Sequence, residues 1–173
     1  MGADVVFVTG PTNVSHPQGA KVIAIESAKE MHKAVFSNEP YDVAICAAAV
    51  SDWHVENNSN KKMKKKNESS NPQISLKENP DILNDISKSK NRPSLVIGFA
   101  AETEQLTKNA REKLTSKGCD LIIANKISKN TPVFGKENNE VTIISNANIQ
   151  KWHRMTKAEI GRKLALLIAK HYG

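Results

Sequence analysis

The sequence predicts a three-layer α/β domain with a mainly parallel central sheet, on three observations. Short β-branched runs carry no polar alternation, as strands covered on both faces do. Amphipathic or polar helical stretches lie between several of them. The length of 173 residues suits one domain with a sizeable core and is too short for two ordinary ones, so residues 1–173 are expected to form a single unit.

The first strand is Asp4-Val-Val-Phe-Val-Thr9, closed by the turn Gly10-Pro11. Lys21-Val-Ile-Ala-Ile25 is the second. Ser27-Ala-Lys-Glu30 is a capping box, and Ala28, Met31 and Val35 behind it share one helical face. Val43-Ala-Ile-Cys-Ala47, Val96-Ile-Gly-Phe99 and Leu121-Ile-Ile-Ala124 are continuous apolar strands. A polar helix over about Glu104 to Lys117 separates the last two, with Gly118 as terminator. Val141-Thr-Ile-Ile144 is the final strand. Thr156-Lys-Ala-Glu159 is a second capping box, opening a helix whose Ile160, Leu164, Leu167 and Ile168 form a stripe. His54 to Pro72 is rich in Asn, Lys and Ser and reads as a mobile excursion from the domain.

Composition narrows the function classes. Hydrophobic residues are 39% and charged residues 25%, which excludes a disordered tail. No apolar run approaches the length of a membrane span and no signal peptide precedes the first strand. Cys46 and Cys119 both sit in apolar runs, with neither a disulfide framework nor zinc spacing, so a reducing, cytoplasmic setting is expected. The net charge of +7 comes mainly from Lys61, Lys62, Lys64, Lys65 and Lys66; without these five it is +2. The surplus is therefore one local cluster.

In sheets of this type ligands bind at the carboxyl ends of the strands. Gly10-Pro-Thr12, Ala47-Ala-Ala-Val-Ser-Asp52, Gly98-Phe-Ala-Ala-Glu-Thr103 and Ala124-Asn-Lys126 leave the sheet there. The small residues Ala47 to Ala49 would let a flat ligand approach the backbone, or would simply permit close helix–sheet packing. Asp52 suits a metal or a ribose hydroxyl, and equally a turn cap. The lysine cluster is a solvated patch, a nucleic-acid contact, or a flap that closes over a triphosphate. Asn79-Pro-Asp81 before Ile82-Leu83 starts a helix, either as a cap or as an anion site. Lys113 and Lys117, four apart, share a helix face. The five histidines show no ligand spacing. The signatures GxGxxG, P-loop and GxSxG are all missing, so a dinucleotide enzyme, a P-loop NTPase and a serine hydrolase are disfavoured.

The ordered series Ala48-Ala-Val-Ser-Asp-Trp53, Lys62-Met-Lys-Lys65, Asn79-Pro-Asp-Ile-Leu83, Gly98-Phe-Ala-Ala-Glu-Thr103 and Asp120-Leu-Ile-Ile-Ala-Asn125 resembles phosphopantothenate–cysteine ligase, the synthetase half of a bifunctional coenzyme A biosynthesis protein. Phe134-Gly135 with Asn138-Asn139 adds a sixth point of agreement, and the likeness runs over nearly the whole chain. The resemblance implies a Rossmann-like domain, usually homodimeric. It also implies a reaction in which 4′-phosphopantothenate and CTP form an acyl-cytidylate that cysteine then attacks, with Mg2+ assisting.

Carried over by position, the resemblance implies Lys62 as the catalytic flap lysine. Ala48, Ala49, Asp52, Pro80, Asp81, Ile82, Leu83, Phe99, Lys113 and Lys117 would be nucleotide contacts, and Asp52 would also be a metal ligand. The departure is at the front. The family has an earlier strand and a loop whose Asn holds the acyl intermediate. Here Met1-Gly-Ala-Asp4 falls inside what would be the second strand, and Asn13 sits in the wrong loop, so an N-terminal segment is expected to be lacking. The flavin-dependent half has no counterpart, so no FMN is expected. The alternatives are a nucleotide-binding remnant without full ligase activity and a basic nucleic-acid-binding domain, which the ordered motifs disfavour.

Overall fold

The computed structural model describes residues 2–56, 73–127 and 137–172. In chain order the elements are β1 (Val6–Thr9), β2 (Lys21–Ala24), α1 (Ala28–Phe36), β3 (Val43–Cys46), β4 (Trp53–Val55), β5 (Leu76–Glu78) and α2 (Ile82–Ser87). They continue with β6 (Leu95–Glu102), α3 (Leu106–Lys117), β7 (Leu121–Lys126), β8 (Asn138–Ile144), β9 (Ile149–Thr156) and α4 (Lys157–Tyr172).

The main sheet has five strands in the order β3-β6-β7-β8-β9. β3, β6 and β7 run parallel, while β8 and β9 are antiparallel to their neighbours. β1 and β2 form a separate parallel pair, and β4 and β5 a separate antiparallel one. The α/β class stands, with a sheet that is mixed. The antiparallel pairing of β8 with β9 follows from a tight connection. Ser145 accepts through its hydroxyl from the Asn148 amide (3.0 Å) and donates its own amide to the Asn148 carbonyl (2.9 Å). A hairpin that short joins only antiparallel strands.

Strand alternation divides the core into two layers. Val96, Ala100, Ile122 and Ala124 point to one face and pack with Leu83 and Ile86 of α2 and Ala110 and Leu114 of α3. Leu95, Ile97 and Ile123 point to the other and meet Trp152 of β9 and Ile160 and Leu164 of α4. Val96, Ile97, Ile122 and Ile123 are all fully buried. Each such side chain contributes roughly 1.5–3 kcal/mol by leaving water. On the outer layer Lys163 lies over the Trp152 ring, 4.5 Å from its centroid.

The polar stitching uses the residues that the sequence marks as caps. In α1, Ser27 accepts from the Glu30 amide (3.2 Å), while the Glu30 carboxylate accepts from the amide of Glu26 (2.8 Å). The Thr156–Glu159 box is reciprocal: the Thr156 hydroxyl accepts from the Glu159 amide (3.2 Å) and the Glu159 carboxylate accepts from the Thr156 amide (2.8 Å). The bond from the Thr156 amide holds the Glu159 carboxyl below its ordinary value. Gly118 ends α3 with φ of 72°, a left-handed conformation that favours glycine. Asp120 accepts from the Val96 amide (2.7 Å) and from Arg92 (2.8 Å), whose Nε donates to the Ser87 carbonyl (3.0 Å). The end of α2 is thereby pinned to the start of the parallel strands.

Candidate functional site

At the carboxyl end of β3 and β6 three segments converge: the loop 47–52 after β3, the junction of β5 with α2, and one face of α3. The packing of α2 sets this geometry. A Cβ added at Gly98 of β6 would lie 2.6 Å from Leu83 Cδ2 and 2.8 Å from Ile122 Cδ1, so only glycine lets α2 approach this closely.

Asp81 is the centre of the cluster. Its Oδ1 accepts from the Asn84 amide (3.0 Å) and caps α2, and its Oδ2 pairs with the Lys117 ammonium. Burial alone would raise the Asp81 carboxyl. The Lys117 hydrogen bond, the Asn84 amide and the charges of Lys117 and Lys113 outweigh it, and the group lies below its ordinary value. Asp81 is therefore a fixed anion. One turn before Lys117, Lys113 donates to the carbonyl of Phe99 (2.9 Å). The two lysines do share a face, and that face meets both the α2 cap and β6. Cys46 ends β3 beside them. Burial, with lesser contributions from Cys119 and Asp81, pushes its thiol up to about 11, so it is a neutral thiol.

The loop after β3 is held to the same place. The Asn79 amide donates to the Asp52 carbonyl (2.8 Å) and the Asn79 side-chain amide to the Ser51 carbonyl (2.8 Å). Ala48, Ala49 and Asp52 are exposed on this loop, and Pro80 follows the clamp directly. Ile82 and Leu83 are buried, at 8% exposure each, with Leu83 spent on the core beneath α2. The Phe99 side chain packs with the α4-side cluster, across the sheet from α2 and α3. The structure thus brings together Asp81, Lys113 and Lys117, with the Phe99 carbonyl on the same face, and ties the Asp52 loop to the start of α2 through Asn79 and Pro80. Lys62 lies outside the described residues, as does the proposed flap except for its first residues. His54 and Val55 of that stretch belong to β4. At the α2 start, the amide of Asn84 is taken by the Asp81 side chain, as the capping reading expects.

The sequence marks Asn79 as part of a helix start and of a motif, but not as a clamp on the loop after β3. Asn79-Pro-Asp81 reads as a helix start, but the carbonyls that Asn79 holds lie far back in the chain. No group of three or more His, Cys, Asp or Glu side chains among the described residues is placed to hold a metal ion. Asp52 as a single exposed carboxylate does fit the way Mg2+ is usually held, by one or two carboxylates together with substrate phosphates.

Fold and site define an α/β domain in which two lysines of one α3 face meet the α2 cap and β6 near the ends of the parallel strands. The chain belongs to the family described as the DNA/pantothenate metabolism flavoprotein C-terminal domain, which matches residues 1–172. It is 37% identical to the coenzyme A biosynthesis bifunctional protein CoaBC of Borreliella burgdorferi, over 97% of this chain and 42% of that protein. It is likewise 37% identical, over 97% of its length and 48% of the other's, to a cysteine/cysteine sulfinic acid decarboxylase from an unknown prokaryotic organism. The chain spans less than half the length of both relatives. Among solved structures, the C-terminal domain of CoaBC superposes with a TM-score of 0.79 at 29% identity, covering 99% of this chain and 76% of that one.

Proposed function

We propose that this chain is a ligase domain of coenzyme A biosynthesis that joins 4′-phosphopantothenate to cysteine at the expense of CTP. The observation that supports it is the meeting of Asp81, Lys113 and Lys117 near the strand ends, with the Asp52 loop tied to the α2 start through Asn79, in a chain belonging to a pantothenate-metabolism family. In this reading the pantothenate carboxylate attacks the α-phosphate of CTP and pyrophosphate leaves. The cysteine amine then attacks the acyl carbon and CMP departs. Negative charge moves through phosphates in both steps, so fixed cations supply the main electrostatic help.

Each side chain has a task consistent with its surroundings. Lys113 and Lys117 balance phosphate charge, and Asp81 holds Lys117 in place. Ala48 and Ala49 leave the backbone of their exposed loop open to the base, and the Pro80-Asp81-Ile82-Leu83 turn borders the nucleotide. Phe99 fixes Lys113 through its carbonyl. Lys62 is assigned to the transferring phosphate on the strength of its motif. Mg2+ held by Asp52 and the phosphates would neutralise the triphosphate. FMN chemistry is not part of this reading. A homodimer and a cytoplasmic location complete it; no helix among the described residues is long and apolar enough to cross a membrane.

Calorimetric titration with CTP, ATP and a short DNA duplex tests this. At physiological salt we expect binding heat with CTP and Mg2+, less with ATP, and weak duplex binding. Tight duplex binding with no CTP heat would overturn the ligase reading in favour of a basic nucleic-acid domain.

A further inference from the structure

We propose that Asn79 is a positioning residue for the nucleotide site: it clamps the loop carrying Ala48, Ala49 and Asp52 against the start of α2. The inference rests on the nucleotide reading above and adds a residue to it. The geometry is a double hydrogen bond onto consecutive carbonyls. The Asn79 backbone amide takes Asp52 and its side-chain amide takes Ser51, both at 2.8 Å.

The backbone bond extends the β4–β5 ladder beyond its Trp53–Glu78 pair. The side-chain bond reaches past the ladder and fixes the residue before Asp52. The Ser51 hydroxyl donates to the Trp53 carbonyl (2.9 Å), which bends the loop at the same point. On the other side, Pro80 has no amide hydrogen and a restricted φ, so the chain leaves the clamp in a set direction. Asp81 follows at once, caps α2 and holds Lys117. A continuous run of bonds thus links the Asp52 loop, the α2 cap and the α3 lysine.

The clamp does not serve the core. Neither core cluster contains any residue from 47 to 56 or from 73 to 79. Ser51 and Asp52 are exposed, and Asn79 is half-buried. Loss of the side-chain bond should therefore loosen the loop and leave the fold intact. The site requires a donor on a short arm. An aspartate in its place would turn an acceptor toward the Ser51 carbonyl.

The test is CTP affinity by calorimetry, with thermal unfolding, for the unmodified chain, Asn79→Ala and Asn79→Asp. A net hydrogen bond of ordinary strength predicts that Asn79→Ala weakens CTP binding by about three- to tenfold, and Asn79→Asp by at least as much. The unfolding midpoint should fall by no more than about 4 °C. Variants with a lower midpoint but unchanged CTP affinity would overturn the positioning role and leave the proposed function standing. If the unmodified chain itself binds no CTP, the proposed function falls, and the positioning role falls with it.

Discussion

Lys62→Ala is expected to lower CTP-dependent pyrophosphate release by on the order of 10²–10³, and Lys66→Ala by far less. Both changes remove one positive charge from the same run of five lysines. Screening acts over about 8 Å at physiological salt, so a diffuse patch would respond almost equally to either loss. A lysine placed on a reacting phosphate would not. Its removal resembles deletion of one donor from a site that stabilises developing charge. Lys62→Arg should also be poor, because a planar guanidinium does not reproduce a compact ammonium. Steady-state pyrophosphate release for the three variants checks this, and equal, small losses at both positions would reduce the cluster to solvated charge.

Gly98→Ala is expected to destabilise the fold by about 1–3 kcal/mol, the usual cost of overpacking a filled core. The new methyl would overlap Leu83 and Ile122 together, at 2.6 and 2.8 Å. Ile122 is fully buried and Leu83 is 8% exposed, so neither side chain can swing into solvent. Relief must come from moving α2 off β6, which also displaces the cap at Asp81. Gly161 provides the contrast. It lies in α4 with nothing within 4 Å of an added Cβ, so Gly161→Ala should stabilise by roughly 0.4–1 kcal/mol. Denaturant unfolding of both variants gives the comparison; a neutral Gly98→Ala would mean that α2 does not need its close approach.

Much of the architecture was legible because the central strands β6 and β7 are buried on both faces and two of its helices are capped by their own sequence. Val43–Cys46, Leu95–Glu102 and Leu121–Lys126 fall where continuous apolar runs place them, and both capping boxes form. What escaped was structure with little burial behind it. In β9 only Trp152 is buried, so its polar neighbours hide the strand from a reading based on apolar runs. β4 and β5 have three residues each, with Trp53 and Leu76 both more than half exposed. Strand direction was read only in part: the expected parallel pairing holds for β3, β6 and β7 and fails for β8 and β9. Val141 to Ile144 looks the same whether it runs parallel or antiparallel to β7, and the Ser145–Asn148 turn fixes only its pairing with β9.

The site was legible as residue types and not as partners. Spacing placed Lys113 and Lys117 on one face. That one would meet Asp81 and the other the carbonyl of Phe99 depends on α3 crossing β6 and α2. Phe99 itself illustrates the limit. Its place in the motif suggested a side chain turned to the ligand, but strand alternation sends that ring to the α4 side. The role of Asn79 was hidden for the opposite reason: its partners are backbone carbonyls, which carry no trace in a sequence.

The most direct test of the central claim is whether pyrophosphate release from CTP depends on the acid substrate. The chain would be incubated with CTP and Mg2+, with and without 4′-phosphopantothenate, and then with cysteine added. Pyrophosphate is expected only when 4′-phosphopantothenate is present, and CMP and phosphopantothenoylcysteine only after cysteine is added. Pyrophosphate release that ignores 4′-phosphopantothenate, or no release with all three substrates present, would contradict the claim.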